Sequence, residues 1–238
     1  MILVKLLLAH LIGDFFLQPD AWVRAKEQHK LRAYQFYLHI TIHGILAWVL
    51  LGQVDLWPYA LAIALSHGCI DGIKLYAQHE ATKRSWFFWD QLAHMLVLCV
   101  TFYLLVGGAE WELLSIYREK LWFGGTLALF LTLPASILIK IFISRWTPQA
   151  DEKGETDSLE EAGKYIGIFE RLFVFVFIII GRYEAIGFLV AAKSVFRFGD
   201  LRQTRDRKLT EYILIGTLLS FGLAILSGLI YVKILPWL

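Results

Sequence analysis

HLIGDFFLQ, residues 10–18, follows MILVKLLLA and places His10 and Asp14 where a membrane anchor would carry Leu or Val. Ionisable groups are costly in lipid and persist there when they have a partner or a task. The two side chains interrupt the apolar region, and no small-x-small cleavage pattern follows them, so residues 1–18 read as a retained span rather than a signal peptide.

Composition supports that reading. Hydrophobic residues make up 58% of the 238 and aromatics 15%, with mean hydropathy +0.57, whereas a soluble domain has about 45–50% apolar residues. The chain is expected to be an integral membrane protein with the lipid bilayer as its surroundings. A net charge of +2 gives no reason to expect nucleic acid. Cys69 and Cys99 lie in apolar runs and read as small hydrophobes, not as a disulfide framework.

One span takes about 20 residues, and candidates fall at 1–18, 36–53, 57–78, 86–107, 121–143 and 166–181, with a short one at 184–197 and a last at 211–235. The expected fold is all-α, a polytopic transmembrane bundle of seven or eight helices. Whether 184–197 crosses stays open, because about 13 residues make only about 20 Å of helix. Residues 1–146 would hold helices one to five, the acidic stretch TPQADEKGETDSLEEAG (147–163) a polar linker, and 164–238 the remaining helices. Loops 19–35, 79–85, 140–164 and 198–210 are rich in Lys and Arg, which assigns them to the cytoplasm and the termini to the other side, provided 184–197 crosses.

Inside the first four spans the ionisable residues are few and mostly paired: His10 with Asp14, His39 with His43, His67 with Asp71, Asp90 with His94, with Lys5 and Lys74 the only others. Every pair has i,i+4 spacing, which stacks both side chains on one helix face. Each pair also falls toward the same end of its span by the alternation above, so the four pairs converge at one depth near the cytoplasmic face. Imidazole and carboxylate together suit zinc first, with manganese or iron as alternatives, and eight donors suffice for two ions. Gln18, Lys74 and Gln91 sit one helical step from a proposed ligand and are candidates for catalytic support, fixing ligand tautomers or orienting water; for Lys74 the alternative is snorkelling to the interface. His29 and His79 fall in expected loops and read as surface residues.

The runs HLIGDFFLQPDAWVRAK (10–26), HITIHG (39–44), SHGCIDGIK (66–74) and FFWDQLAHM (87–95) together resemble the N-terminal half of a widespread family of bacterial membrane proteins known as a domain of unknown function. GKYIGIFERLFVF (163–175), AAKSVFRF (191–198) and TEYILIGTLLS (210–220) are similar to the second half of its longer members. More loosely, the chain is similar to damage-induced inner-membrane proteins classed as metal-dependent hydrolases. The resemblance implies a multi-pass protein of the bacterial inner membrane with a polar intramembrane cluster at the residues quoted, and it brings no substrate.

Absences narrow the chemistry. There is no HExxH helix and no GxSxG elbow; only His39 and His43 make an HxxxH box, and the paired Glu160 and Glu161 lie in the polar linker rather than a span. In the second half, Glu170, Arg171, Lys193 and Arg197 are candidate substrate-binding residues, since Arg and Lys beside a metal suit a phosphate or carboxylate head group; interhelical ion pairs or interface snorkelling are the alternative. The expectation is a metal-dependent hydrolase acting on an amphiphilic, lipid or lipid-linked substrate at the cytoplasmic face. The alternatives are a divalent-cation transporter or channel using the same cluster, or a non-enzymatic protein with a structural metal.

Overall fold

The computed structural model describes residues 2–107, 120–146, 157–201 and 207–234, and the side chains among them except at 157–162, 196–201 and 207–210. The described residues are helical, without a strand: α1 (Ile2–Phe15), α2 (Asp20–His29), α3 (Tyr34–Leu51), α4 (Trp57–Ala77), α5 (Lys83–Val106), α6 (Lys120–Phe130), α7 (Leu133–Ile143), α8 (Asp157–Ile179), α9 (Tyr183–Leu201) and α10 (Arg207–Ile234). Local chemistry sets several ends. α3 and α5 stop at Gly52 and Gly107, whose φ of 74° and 65° lie in the left-handed region that a Cβ disfavours. Pro58 stands in the first turn of α4, where a missing N–H costs nothing.

Two compact units divide the chain, Met1–Thr126 and Leu127–Leu238. In the first, α1 packs on α3, α3 on α4, α4 on α5 and α5 back on α1, closing a ring of four helices. Each helix buries one stripe at steps of three or four residues: Leu6, His10 and Gly13 on α1; Phe36, His39, His43, Ala47 and Leu51 on α3; Ala60, Ala64, His67, Asp71 and Leu75 on α4; Asp90, His94, Leu98 and Thr101 on α5. Leu6, Ala47, Leu51, Ala60, Ile63 and Leu98 form an apolar plug at one end. The polar residues continue the same stripes toward the end that carries α2 and the α4–α5 turn. Outward faces are apolar, with Tyr37, Ile45 and Val49 on α3, Leu61, Leu65 and Ile73 on α4, and Trp89, Leu96, Val100 and Tyr103 on α5 all exposed. Polar groups inside and large apolar side chains outside is the distribution that a lipid surround favours.

Among the described residues, four helical stretches are long and apolar enough to cross a membrane: Tyr34–Leu51, Lys83–Val106, Lys120–Trp146 and Glu211–Ile234; α1 with the segment Asp20–Arg32, bent by 77°, adds a fifth if the pair counts as one span. Seven or eight were expected. The difference has a physical basis: α1 has 14 residues, α4 gives up three positions to His67, Asp71 and Lys74, and α8 and α9 each carry several charges.

Two local expectations need correction. Residues 19–35, expected as a loop, fold into α2 followed by a 3-10 turn at Lys30–Arg32. The span expected at 121–143 stands as the apolar stretch Lys120–Trp146, with an interruption between α6 and α7, because the ring of Pro134 meets the carbonyl four residues back, at Phe130, and supplies no N–H to it. α8 begins at Asp157, within the stretch expected as a linker, and residues 147–156 lie outside the described residues.

The second unit has its core at Leu131, Val174, Phe175, Ile178, Phe221 and Ala224, with α10 packed on α8 and α7. Arg171 secures the break in this unit: Nε donates to the Leu131 carbonyl at 2.6 Å, Nη2 to the Thr132 carbonyl at 3.1 Å and to Ser136 Oγ, and Nη1 to Ser220 Oγ at 3.1 Å. A broken helix exposes carbonyls that lipid cannot satisfy, and the guanidinium fork supplies the donors. Arg171→Met is therefore expected to cost about 1–3 kcal/mol for the buried carbonyl left bare. Thermal unfolding in detergent should show a Tm several degrees below wild type; an unchanged Tm would contradict this role.

Candidate metal centre

The i,i+4 spacing puts two polar side chains on the inward stripe of each helix, and the closed ring of α1, α3, α4 and α5 brings the four pairs together. His10, His39, His43, His67, Asp71, Asp90 and His94 are all buried, and the Asp14 side chain is 10% exposed. All five imidazoles approach the carboxylates through Nε2. Asp14 Oδ1 lies 3.0 Å from His43 Nε2, 3.3 Å from His39 Nε2 and 3.4 Å from His67 Nε2, while Oδ2 is 3.5 Å from His10 Nε2. His67 Nε2 and His39 Nε2 are 3.0 Å apart. His94 Nε2 stands 3.5 Å from both Asp71 Oδ1 and Asp90 Oδ1.

Hydrogen bonds join part of this cluster, His43 to Asp14 and His67 to His39. A carboxylate oxygen has two lone pairs, yet three ring nitrogens crowd Asp14 Oδ1, and a neutral imidazole has one N–H to place. Two donor atoms bound at about 2.1 Å to one tetrahedral ion are about 3.4 Å apart, close to the spacings observed. The ligand atoms of His10, Asp14, His43 and His67 lie within 4.8 Å of one another, as do those of His39, His67 and Asp71, and those of Asp71, Asp90 and His94. Each set has the reach and the chemistry to hold a divalent cation.

Stacking fixes the rings: His67 is sandwiched by His43 at 3.7 Å and His94 at 4.0 Å between centroids. Backbone space matters at Gly13, where an added Cβ would fall 2.5 Å from His43 Cε1 and Nε2. A glycine is what lets this ring reach Asp14.

Of the supporting candidates, Gln91 donates to Asp14 Oδ2 at 2.9 Å and to Asp90 Oδ2 at 3.4 Å, with its Oε1 3.3 Å from His10 Nε2. Lys74 donates to Asp90 Oδ2 at 2.8 Å, so its ammonium turns inward rather than snorkelling. Gln18 follows α1, half-buried, at the same end of the unit. Lys26 was missed by sequence reasoning, which took it for a loop charge. It is 5% exposed and reaches from α2 to Asp71 Oδ2 at 2.8 Å. The available signal was the helical step Lys26 to Lys30, for Lys30 donates to the Leu75 carbonyl, matching the step from Asp71 to Leu75 on α4. Glu27 completes the docking of α2 by accepting from Lys83 and Gln78. His29 and His79 are exposed.

The candidate substrate-binding residues belong to the second unit. Lys193 donates to Glu170 between α9 and α8, and its ammonium lies over the Phe221 ring. Arg171 serves the α6–α7 break as described, and the Arg197 side chain lies outside the described residues.

A small cavity of about 10 Å³ adjoins the cluster, lined by His10, His43, His67 and His94 on one side and by Leu6, Ala47, Ile63 and Leu98 on the other. That is room for about one water molecule.

Comparison with known proteins adds one match: the family model described as a protein of unknown function, DUF3307, covers residues 2–122. All eight His and Asp residues of the cluster, together with Lys26, Lys74 and Gln91, fall within it. No curated protein and no solved structure matches the chain.

Proposed function

The chain belongs to the DUF3307 family of proteins of unknown function, and from that premise we propose that it is a membrane-embedded, metal-dependent hydrolase acting on an amphiphilic, lipid or lipid-linked substrate. The observation that carries the proposal is the convergence of three Nε2 atoms on one oxygen of Asp14, a donor set of the kind that binds a divalent cation. Zinc is the first choice of ion for nitrogen-rich donors, with manganese and iron next. When bound, such an ion lowers the pKa of a water toward about 7 and polarises a scissile group.

The chain's own residues supply the rest. Gln91 orients Asp14 and His10, and Lys74 and Lys26 hold the outer oxygens of Asp90 and Asp71, so the inner oxygens face the histidines. The cavity against His10, His43, His67 and His94 has room for about one water beside a bound ion. By the Lys and Arg bias the cluster lies at the cytoplasmic face of a bacterial inner membrane. An amphiphile enters laterally at that level, its head group reaching the polar end of the ring.

The test uses full-length protein in nanodiscs. Release of a water-soluble or lipid product from a panel of lipid esters and phosphates should require Zn²⁺ or Mn²⁺, stop with a chelator and return on readdition. Metal uptake into sealed proteoliposomes without hydrolysis would replace this reading with transport.

A further inference from the structure

Asp71, Asp90 and His94 form a group of three that shares no residue with His10, Asp14, His43 and His67. Each of its carboxylates is split between two tasks. The outer oxygens, Asp71 Oδ2 and Asp90 Oδ2, take the ammonium groups of Lys26 and Lys74 at 2.8 Å. The inner oxygens, Oδ1 of each, face His94 Nε2 at 3.5 Å. Asp90 Oδ1 and His94 Nε2 are buried and have no hydrogen-bond partner among the described residues, although a buried polar atom without one costs about 1–3 kcal/mol. The lysines pin the carboxylates, and the free inner atoms aim at one point.

Asp14, Asp71 and Asp90 bring −3, and Lys26 and Lys74 return +2, leaving −1 with the histidines neutral. One divalent ion makes the buried site +1; two make it +3. Buried net charge is unfavourable unless paired, so a two-ion centre here has a standing demand for an anion, and a dianion brings it to +1.

We infer that Asp71, Asp90 and His94 hold a second divalent ion beside the Asp14 site, and that the two-ion centre takes a phosphate ester as the head group of its substrate. The inference rests on reading the cluster as a metal centre and adds the number of ions and the class of substrate. Two ions side by side stabilise the attacking and leaving oxygens of an in-line displacement at phosphorus. In that reaction the oxygen of water bonds to phosphorus, the ester P–O bond breaks, and the departing alkoxide takes up the proton that the water gives up. A free phosphate and a lipid phosphate share this chemistry, and chain length separates them.

The experiment is Mn²⁺ titration of the wild type, Asp90→Asn and His94→Ala with EPR detection, followed by competition with orthophosphate and with dodecyl phosphate below its micellar concentration. The wild type should take two equivalents and show an exchange-coupled spectrum. Either variant should take one and show the isolated six-line signal, with its affinity for phosphate at least tenfold weaker. Dodecyl phosphate binding at least tenfold tighter than orthophosphate identifies a lipid head group; equal affinities identify a soluble phosphate ester. One equivalent in the wild type overturns the second site and leaves the metal centre standing. Two equivalents without phosphate binding overturn the substrate class. No Mn²⁺ or Zn²⁺ bound at all overturns the metal reading itself.

Discussion

His67→Ala is expected to empty the centre. His67 Nε2 is 3.0 Å from His39 Nε2 and 3.4 Å from Asp14 Oδ1, and its ring is the middle of the His43–His67–His94 stack. Removing it takes away a donor atom and the wall that positions two others. Loss of an outer hydrogen-bonding partner alone costs roughly 10–100-fold in metal affinity, so loss of this ring should cost at least that. Linkage gives a second readout: an ion at about 100 times its dissociation constant stabilises a protein by about 2.7 kcal/mol. Added Zn²⁺ should raise the Tm of the wild type and leave that of His67→Ala where it is. His79→Ala, at an exposed position, serves as the control and should respond like the wild type. A variant that binds Zn²⁺ with wild-type affinity would remove His67 from the site.

Gly13→Ala should harm the site while changing none of its donor groups. Within a helix this substitution is ordinarily favourable by about 0.5–1 kcal/mol, since alanine loses less backbone entropy. At Gly13 the new Cβ would lie 2.5 Å from Cε1 and Nε2 of His43, so the imidazole must swing away from Asp14. The expected result is metal affinity lower by roughly tenfold or more, on the scale set by disturbed ligand support, with helical content retained. Gly187→Ala on α9, where an added Cβ meets nothing within 4 Å, should leave metal binding as it is. Equal affinities for Gly13→Ala and the wild type would show that His43 has another way to reach the carboxylate.

The cluster was legible in the sequence because lipid reverses the usual signal. On a soluble helix the buried face is the apolar one; here every face is apolar, and His10, His39, His67 and Asp90 mark the interior by being the exception. Their i,i+4 partners then fixed the face, and alternation of spans fixed the depth. Lys26 was not legible in the same way, because it lies past Pro19 in a segment whose polarity fits a loop, and only the docking of α2 on α4 turns it inward. The break after Phe130 had its cause in view at Pro134, but the apolar run continues through it, and hydropathy does not register a lost hydrogen bond. The role of Arg171 depends on that break, so it was hidden with it.

Metal content of the protein as purified bears most directly on the central claim. Protein extracted in mild detergent without a histidine tag, beside Asp14→Asn prepared in the same way, would be assayed for zinc, manganese and iron per chain, with size-exclusion profiles to show that both remain monodisperse. The arrangement of Nε2 atoms around Asp14 predicts at least one equivalent of divalent metal in the wild type and loss of most of it in Asp14→Asn. A wild type that holds none, even after incubation with each of the three ions, would contradict it and leave the eight residues as a buried hydrogen-bond network.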